Sequence, residues 1–159
     1  MRCRTLTLIA ALGSAALLGG AWVFQWLGYA PCKMCYWQRW PHMAAVVIAV
    51  AALFVPVTWL LWAGALAVAI TGGIGVFHAG VEQGWWPGPA SCTQAGGGLG
   101  GLSGGDLLAL DGPRLILCDQ IAWSFMGLSM AAWNAVFSFL LVVVWLRAAR
   151  APGQGGASS

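Results

Sequence analysis

Long apolar runs, separated by short polar breaks and one long loop, organise this chain of 159 residues. No charged side chain occurs from Thr5 to Leu27, from Met43 to Phe77, or from Ile121 to Leu146. The middle run covers 35 residues. As one helix it would be about 52 Å long, against a hydrocarbon core of ~30 Å. Pro56 divides it, and Thr58, Trp59 and Trp62 suit an interface beyond the break. The pattern therefore predicts four spans, at about residues 5–27, 37–55, 57–77 and 121–146, the middle two joined by a tight turn. Loops fall at about 28–36 and 78–120. The fold class is all-α, an integral membrane four-helix bundle in one domain (1–150), with a disordered tail at 151–159.

Composition agrees. Hydrophobic residues make up 60% and charged residues only 7%, where soluble domains carry about a quarter charged. The eleven tryptophans fit a chain with two membrane–water interfaces. A net charge of +3, small and scattered, speaks against a nucleic-acid partner. Arg2, Arg4 and the small residues near Ser14–Ala21 suit a signal peptide. The apolar run, however, outlasts an h-region of roughly 7–15 residues, so an uncleaved anchor is expected. Four spans put both termini on one face. Arg2, Arg4, Arg147 and Arg150 flank spans on that face, so the termini are expected in the cytoplasm and both loops on the oxidising side.

That topology gives the cysteines a meaning. Cys32 and Cys35 form a Cys-x-x-Cys pair in the first loop, with Lys33 between them. A helix starting near Pro31 would place Cys32 at its positive end, favouring thiolate. Cys92 and Cys118 share the second loop, 26 positions apart, and Cys3 is an expected bystander on the other face. The loop pair reads as a mobile relay, ahead of a static staple worth about 3–4 kcal/mol of loop closure. A zinc site built from four cysteines ranks third, because only one pair has knuckle spacing. Gly96–Gly101 and Gly104–Gly105 predict a mobile centre for this loop. Ser103 and Asp106 resemble a cap for a short segment, Asp106 to Leu110, either resting on the membrane or serving as a plain connector.

Polar groups flank the first pair. Arg39 lies one turn past Cys35, and His78 closes the third span. His42 and Glu82 are weaker candidates, Glu82 standing four residues after His78. Each suits a snorkelling boundary residue, or a hydrogen-bonding corner for a quinone ring whose apolar slot would come from Trp37, Trp40, Trp85 and Trp86. Within the spans, Gly127 and Ala131 at i,i+4, and Gly72, Gly73 and Gly75, read as close helix packing.

Three stretches in order resemble the DsbB disulfide-bond-formation proteins of bacterial inner membranes. They are Pro31 to His42 (PCKMCYWQRWPH), Phe77 to Cys92 (FHAGVEQGWWPGPASC), and Cys118 with Trp123 to Asn134 (WSFMGLSMAAWN). The resemblance implies a thiol:quinone oxidoreductase. A DsbA-type partner would attack the Cys92–Cys118 disulfide at Cys92. Cys118 would exchange with Cys32, and Cys35 would donate as thiolate to a quinone held near Arg39 and His78. It implies ubiquinone as acceptor, with menaquinone less comfortable. A DsbA-type dithiol near about −120 mV would run backwards by several kcal/mol into an acceptor near about −200 mV.

The vitamin K epoxide reductase-like proteins also combine four spans with two cysteine pairs, but their Cys-x-x-Cys follows the loop pair, the reverse of the order here. A membrane protein with structural disulfides or a metal-binding cysteine site is the non-enzymatic alternative.

Overall fold

The computed structural model describes residues 2–55, 57–93 and 117–151. Among them are four helices, α1 (Arg2–Trp26), α2 (Lys33–Phe54), α3 (Thr58–Glu82) and α4 (Met130–Arg150), with two short strands, β1 (Ser124–Phe125) and β2 (Leu128–Ser129). The helices close a bundle in which α1 and α3 each pack against α2 and α4. The predicted all-α four-helix bundle is observed. Helices α1, α3 and α4 are long and apolar enough to cross a membrane. Helix α2 is of similar length, but Lys33, Gln38, Arg39 and His42 make its first half polar.

The helix ends explain where the loops begin. After α1, Gly28 adopts φ +98° while its N–H reaches Gln25 O and the Tyr29 N–H reaches Phe24 O. After α3, Gly84 adopts φ +69°, with its N–H on Val81 O and the Trp85 N–H on Gly80 O. Both are Schellman terminations, which need a left-handed residue that glycine supplies without a Cβ penalty. They satisfy the orphan carbonyls at the end of the bundle where both loops lie. Helix α2 opens at Lys33 with Cys32 as its N-cap, as the proline-led start suggested.

Three expectations need correction. Helix α3 runs on through His78 to Glu82, a turn beyond the predicted span. Helix α4 begins at Met130, not near Ile121, because β1 and β2 form an antiparallel hairpin pairing Ser124 with Ser129 and Phe125 with Leu128. Its central residues Met126 and Gly127 have φ +50° and +79°, the type I′ pattern whose twist suits two-residue hairpins. Gly127 therefore sits in a turn and makes no helix-packing motif with Ala131. Pro56, the glycine-rich stretch, the Ser103–Asp106 cap and the residues after Ala151 lie outside the described residues.

The packing is that of a membrane bundle. Large apolar side chains such as Leu12, Val47, Phe54 and Leu66 face outward, while alanines (Ala10, Ala45, Ala49, Ala65) line the interior. Small interior residues let backbones approach where lipid offers no hydrophobic drive. Gly75 lies against Ala135 and the Ala131 carbonyl of α4, and Gly72 against Phe139, so these two glycines do serve packing. One large side chain fills the end near the termini: Trp145, fully buried, rests where a Cβ on Gly64 would stand. Cys3 is buried and free at the same end.

Candidate functional site

At the opposite end the first turn of α2 presents the dithiol. Cys32 has extended backbone (φ −76°, ψ 172°), and its Sγ accepts from the Cys35 N–H at 3.3 Å. This is an N-cap made by sulfur, which aims Sγ at the positive helix end. The two Sγ atoms lie 2.9 Å apart and share a hydrogen bond. Both precede the apolar part of α2, which opens at Met43. The Cys35 thiol is held below the ordinary thiol range, chiefly by the hydrogen bond from Cys32. Burial opposes this, the Cys32 backbone and the Arg39 charge add to it, and the Glu82 charge works against it. Cys32 is pushed the other way by the same bond and by burial. The pair is thus polarised: Cys35 is drawn toward the nucleophilic thiolate, and Cys32 toward the thiol, the reverse of what its place at the positive helix end suggested.

Neighbouring helices complete the site. His78 of α3 brings Nε2 to 3.5 Å from Cys32 Sγ, and its Nδ1 lies 2.8 Å from Gln38 Nε2. Glu82, one turn on, stands with Oε1 3.8 Å from His78 Nε2. The Arg39 guanidinium donates to Gln25 Oε1 at 2.8 Å and to the Ala21 carbonyl at 3.3 Å, and lies 5.2 Å from the Tyr36 ring centroid. It is therefore clamped to the last turns of α1, where a cation also meets the negative helix end.

The second pair is oxidised. Cys92 and Cys118 form a disulfide with Cα atoms 5.3 Å apart. They are buried in one cluster with Cys32, Met34 and Val81, with Cys35 packed against it. Lys33 Nζ donates to Ser91 Oγ at 3.0 Å, tying the residue beside Cys32 to the one beside Cys92. Both cysteine pairs thus share one end of the bundle, as the topology required.

A cavity of about 410 Å³ opens on the dithiol, and Cys32, Cys35, Arg39, His42, His78 and Glu82 all line it. Every candidate polar residue from the sequence is therefore brought together. The expected aromatic slot is not: Trp37, Trp40, Trp85 and Trp86 are absent from the lining. Trp86 instead stacks on Phe77 and donates to its carbonyl. The aromatic wall comes from the other side of the bundle, as a run through Phe24, Trp123, Phe125, Trp133 and Phe137, with successive centroids 5.0, 6.0, 6.4 and 5.5 Å apart. The hairpin delivers it, and the Trp133 Nε1–H on Phe125 O pins the hairpin to α4.

Sequence reasoning missed Gln38, Thr71 and Asn134. Their signal was spacing: Gln38 and His42, and Asn134 and Ser138, are i,i+4 pairs of polar residues in otherwise apolar helices. In a membrane span such a stripe faces the interior. The donor atoms of Cys32, Cys35 and His78 fall within 4.8 Å of one another, a spacing that suits a metal ion. A metal-bound imidazole, however, donates its other N–H to an acceptor, whereas here the Gln38 amide nitrogen faces Nδ1.

A helical membrane bundle that sets a polarised dithiol beside a second, loop-borne disulfide defines a membrane disulfide oxidoreductase. Residues 3–148 match the family model described as disulfide bond formation protein DsbB, and the chain belongs to that family. It is 32% identical to disulfide bond formation protein B of Paracidovorax citrulli (strain AAC00-1) over 98% of this chain and 93% of the relative. It is 30% identical to the protein of the same name from Acidovorax sp. (strain JS42), over 92% and 89%. Against that of Polaromonas sp. (strain JS666 / ATCC BAA-500) identity is 28%, over 90% and 88%. No solved structure matches the chain.

Proposed function

We propose that this protein is a thiol:quinone oxidoreductase of a bacterial inner membrane, its cysteine-bearing end facing the periplasm. In this reading it reoxidises a DsbA-type thiol oxidase and passes the electrons to ubiquinone. The observation that carries the reading is the cavity: the dithiol, a clamped arginine and a histidine converge on an apolar slot with an aromatic wall. That donor set fits a quinone, whose carbonyls call for hydrogen-bond donors or a cation and whose ring and tail call for apolar surface. Arg39 and His78 would hold the ring end, with Phe24, Trp123 and Trp133 against its face. A bound quinone would supply the two-electron acceptor for the dithiol.

The chain's own residues do the rest. A partner thiolate attacking Cys92 Sγ forms a mixed disulfide, breaks the Cys92–Cys118 bond, and leaves Cys118 as thiolate. Cys118 attacking Cys32 of an oxidised Cys32–Cys35 pair forms a Cys32–Cys118 bond and releases Cys35 as thiolate. The Arg39 charge, which favours Cys35 as thiolate, makes it the better leaving group; the Cys32 hydrogen bond joins it only once Cys32 is again a thiol. Burial of all four sulfurs in or beside one cluster keeps the exchange path short.

Anaerobic mixing of reduced DsbA-type partner, this protein and ubiquinone tests the reading. Quinone absorbance is expected to fall as partner disulfide appears in equal amount. Unchanged absorbance with the Cys92–Cys118 bond intact would return the loop pair to the role of a structural staple.

A further inference from the structure

Beneath the dithiol, polar side chains of α2, α3 and α4 meet inside the bundle, where unpaired polar groups are costly and paired ones usually functional. Their hydrogen-bond directions can be worked out from atoms of unambiguous identity. The Gln38 main-chain carbonyl can only accept, so the Thr71 hydroxyl, 2.8 Å away, donates to it. Thr71 Oγ1 is then left as an acceptor, and the Asn134 atom 3.3 Å from it must be the amide nitrogen. That nitrogen also donates to Gln38 Oε1 at 2.8 Å. Gln38 Nε2, with the Met34 carbonyl at 3.4 Å as a second anchor, therefore faces His78 Nδ1. An amide nitrogen can only donate, so Nδ1 accepts and the neutral imidazole carries its proton on Nε2. That N–H faces Cys32 Sγ at 3.5 Å, with Glu82 Oε1 3.8 Å away and the Cys118 carbonyl as a further acceptor beside it. On the other side, Asn134 Oδ1 accepts from His42 Nε2 at 3.1 Å, with Ser138 Oγ 3.4 Å from the same nitrogen.

The bonds consequently run one way, from His42 to Asn134, Gln38, His78 and Cys32. Each donor polarises the next, and the last donates to a sulfur. We propose that Asn134 is a positioning residue which, acting through Gln38, locks His78 in the Nε2–H tautomer so that the imidazole donates toward the dithiol. It touches neither sulfur. The proposal rests on the functional reading only in taking Cys32 and Cys35 as the reacting pair. Amides do not relay protons readily, so the run orients and polarises; it is not a proton path.

The test is ¹⁵N NMR of His78 in the detergent-solubilised full chain, with the dithiol reduced and no quinone added. The wild type is expected to show a protonated Nε2 and a bare Nδ1; a protonated Nδ1 would overturn the proposal before any variant is made. Asn134→Leu is expected to give a mixture of tautomers and about a fivefold slower alkylation of the dithiol at fixed pH, the scale of one neutral hydrogen bond. Asn134→Thr, smaller and still polar, gives the same reading should the leucine variant misfold. In a Gln38→Leu background the further effect of Asn134→Leu should vanish. Additive effects, or a single unchanged tautomer in both Asn134 variants, would sink the idea. Because the readout is the imidazole, failure of quinone reduction leaves the result interpretable.

Discussion

The two ends of the bundle are built on opposite plans. Near the termini, alanines and one buried tryptophan make an apolar interior, with Trp145 lying over Gly64. At the dithiol end the same four helices enclose amides, imidazoles, a carboxylate and a cavity. Close packing gives stability and leaves no room for chemistry. Polar groups and a void give chemistry at a cost in stability. Helices that cross a membrane can separate the two tasks by some 30 Å, so damage at one end should leave the other readable.

The sharpest break of that comparison is Cys35→Ser. It is expected to abolish quinone reduction while mixed-disulfide formation with the partner at Cys92 continues and thermal stability stays near wild type. Following quinone absorbance and trapped complex in parallel would show it, and normal quinone turnover would refute the role given to Cys35. The converse change, Trp145→Ala, should lower unfolding free energy by about 3–5 kcal/mol yet leave turnover per folded molecule unchanged. Trp145→Phe should cost less, since Trp145 Nε1 has no hydrogen-bond partner among the described residues. A thermal melt with activity normalised to folded protein decides between them.

A subtler probe is the pH at which Cys35 reacts. Its thiol is held low by the Cys32 bond and, in part, by Arg39. In a reduced Cys92→Ser, Cys118→Ser background, alkylation should persist below the ordinary thiol range. Arg39→Gln removes a charge that favours thiolate, so the midpoint should move up. A midpoint unmoved or lowered contradicts the electrostatic role. The smallest effect belongs to Lys33→Ala, which loses an exposed hydrogen bond to Ser91. Stability should change by no more than about 0.5 kcal/mol, and a large loss of partner exchange would show that the link between the loops does more than hold them.

The contrast between the ends also accounts for what could be read in advance. Apolar runs of bilayer length, divided by Pro56 and by polar loops, are local signals, so the bundle and the placing of both cysteine pairs at one end were legible. That Arg39 and His78 would lie beside the dithiol was legible because charges and imidazoles are rare beside spans. The start of α4 was not, since residues 121–129 are apolar enough to pass for helix and the turn at Met126–Gly127 lacks the usual Asn. The aromatic wall was misplaced because nearness in sequence favoured Trp37 and Trp40, whereas the bundle brings Trp123 and Trp133 across. Gln38, Thr71 and Asn134 acquire a role only when three helices meet.

The tight turn of the hairpin has a practical use. Met126 holds a left-handed conformation that side chains other than Asn, Asp and Gly resist, and it is 79% exposed. Asn is the residue such turns favour at this position. Met126→Asn would relieve local strain without touching a sulfur or a lining side chain, stiffening the hairpin that carries Phe125 and follows Trp123. It offers a dial for asking how much give the wall needs to admit the proposed quinone.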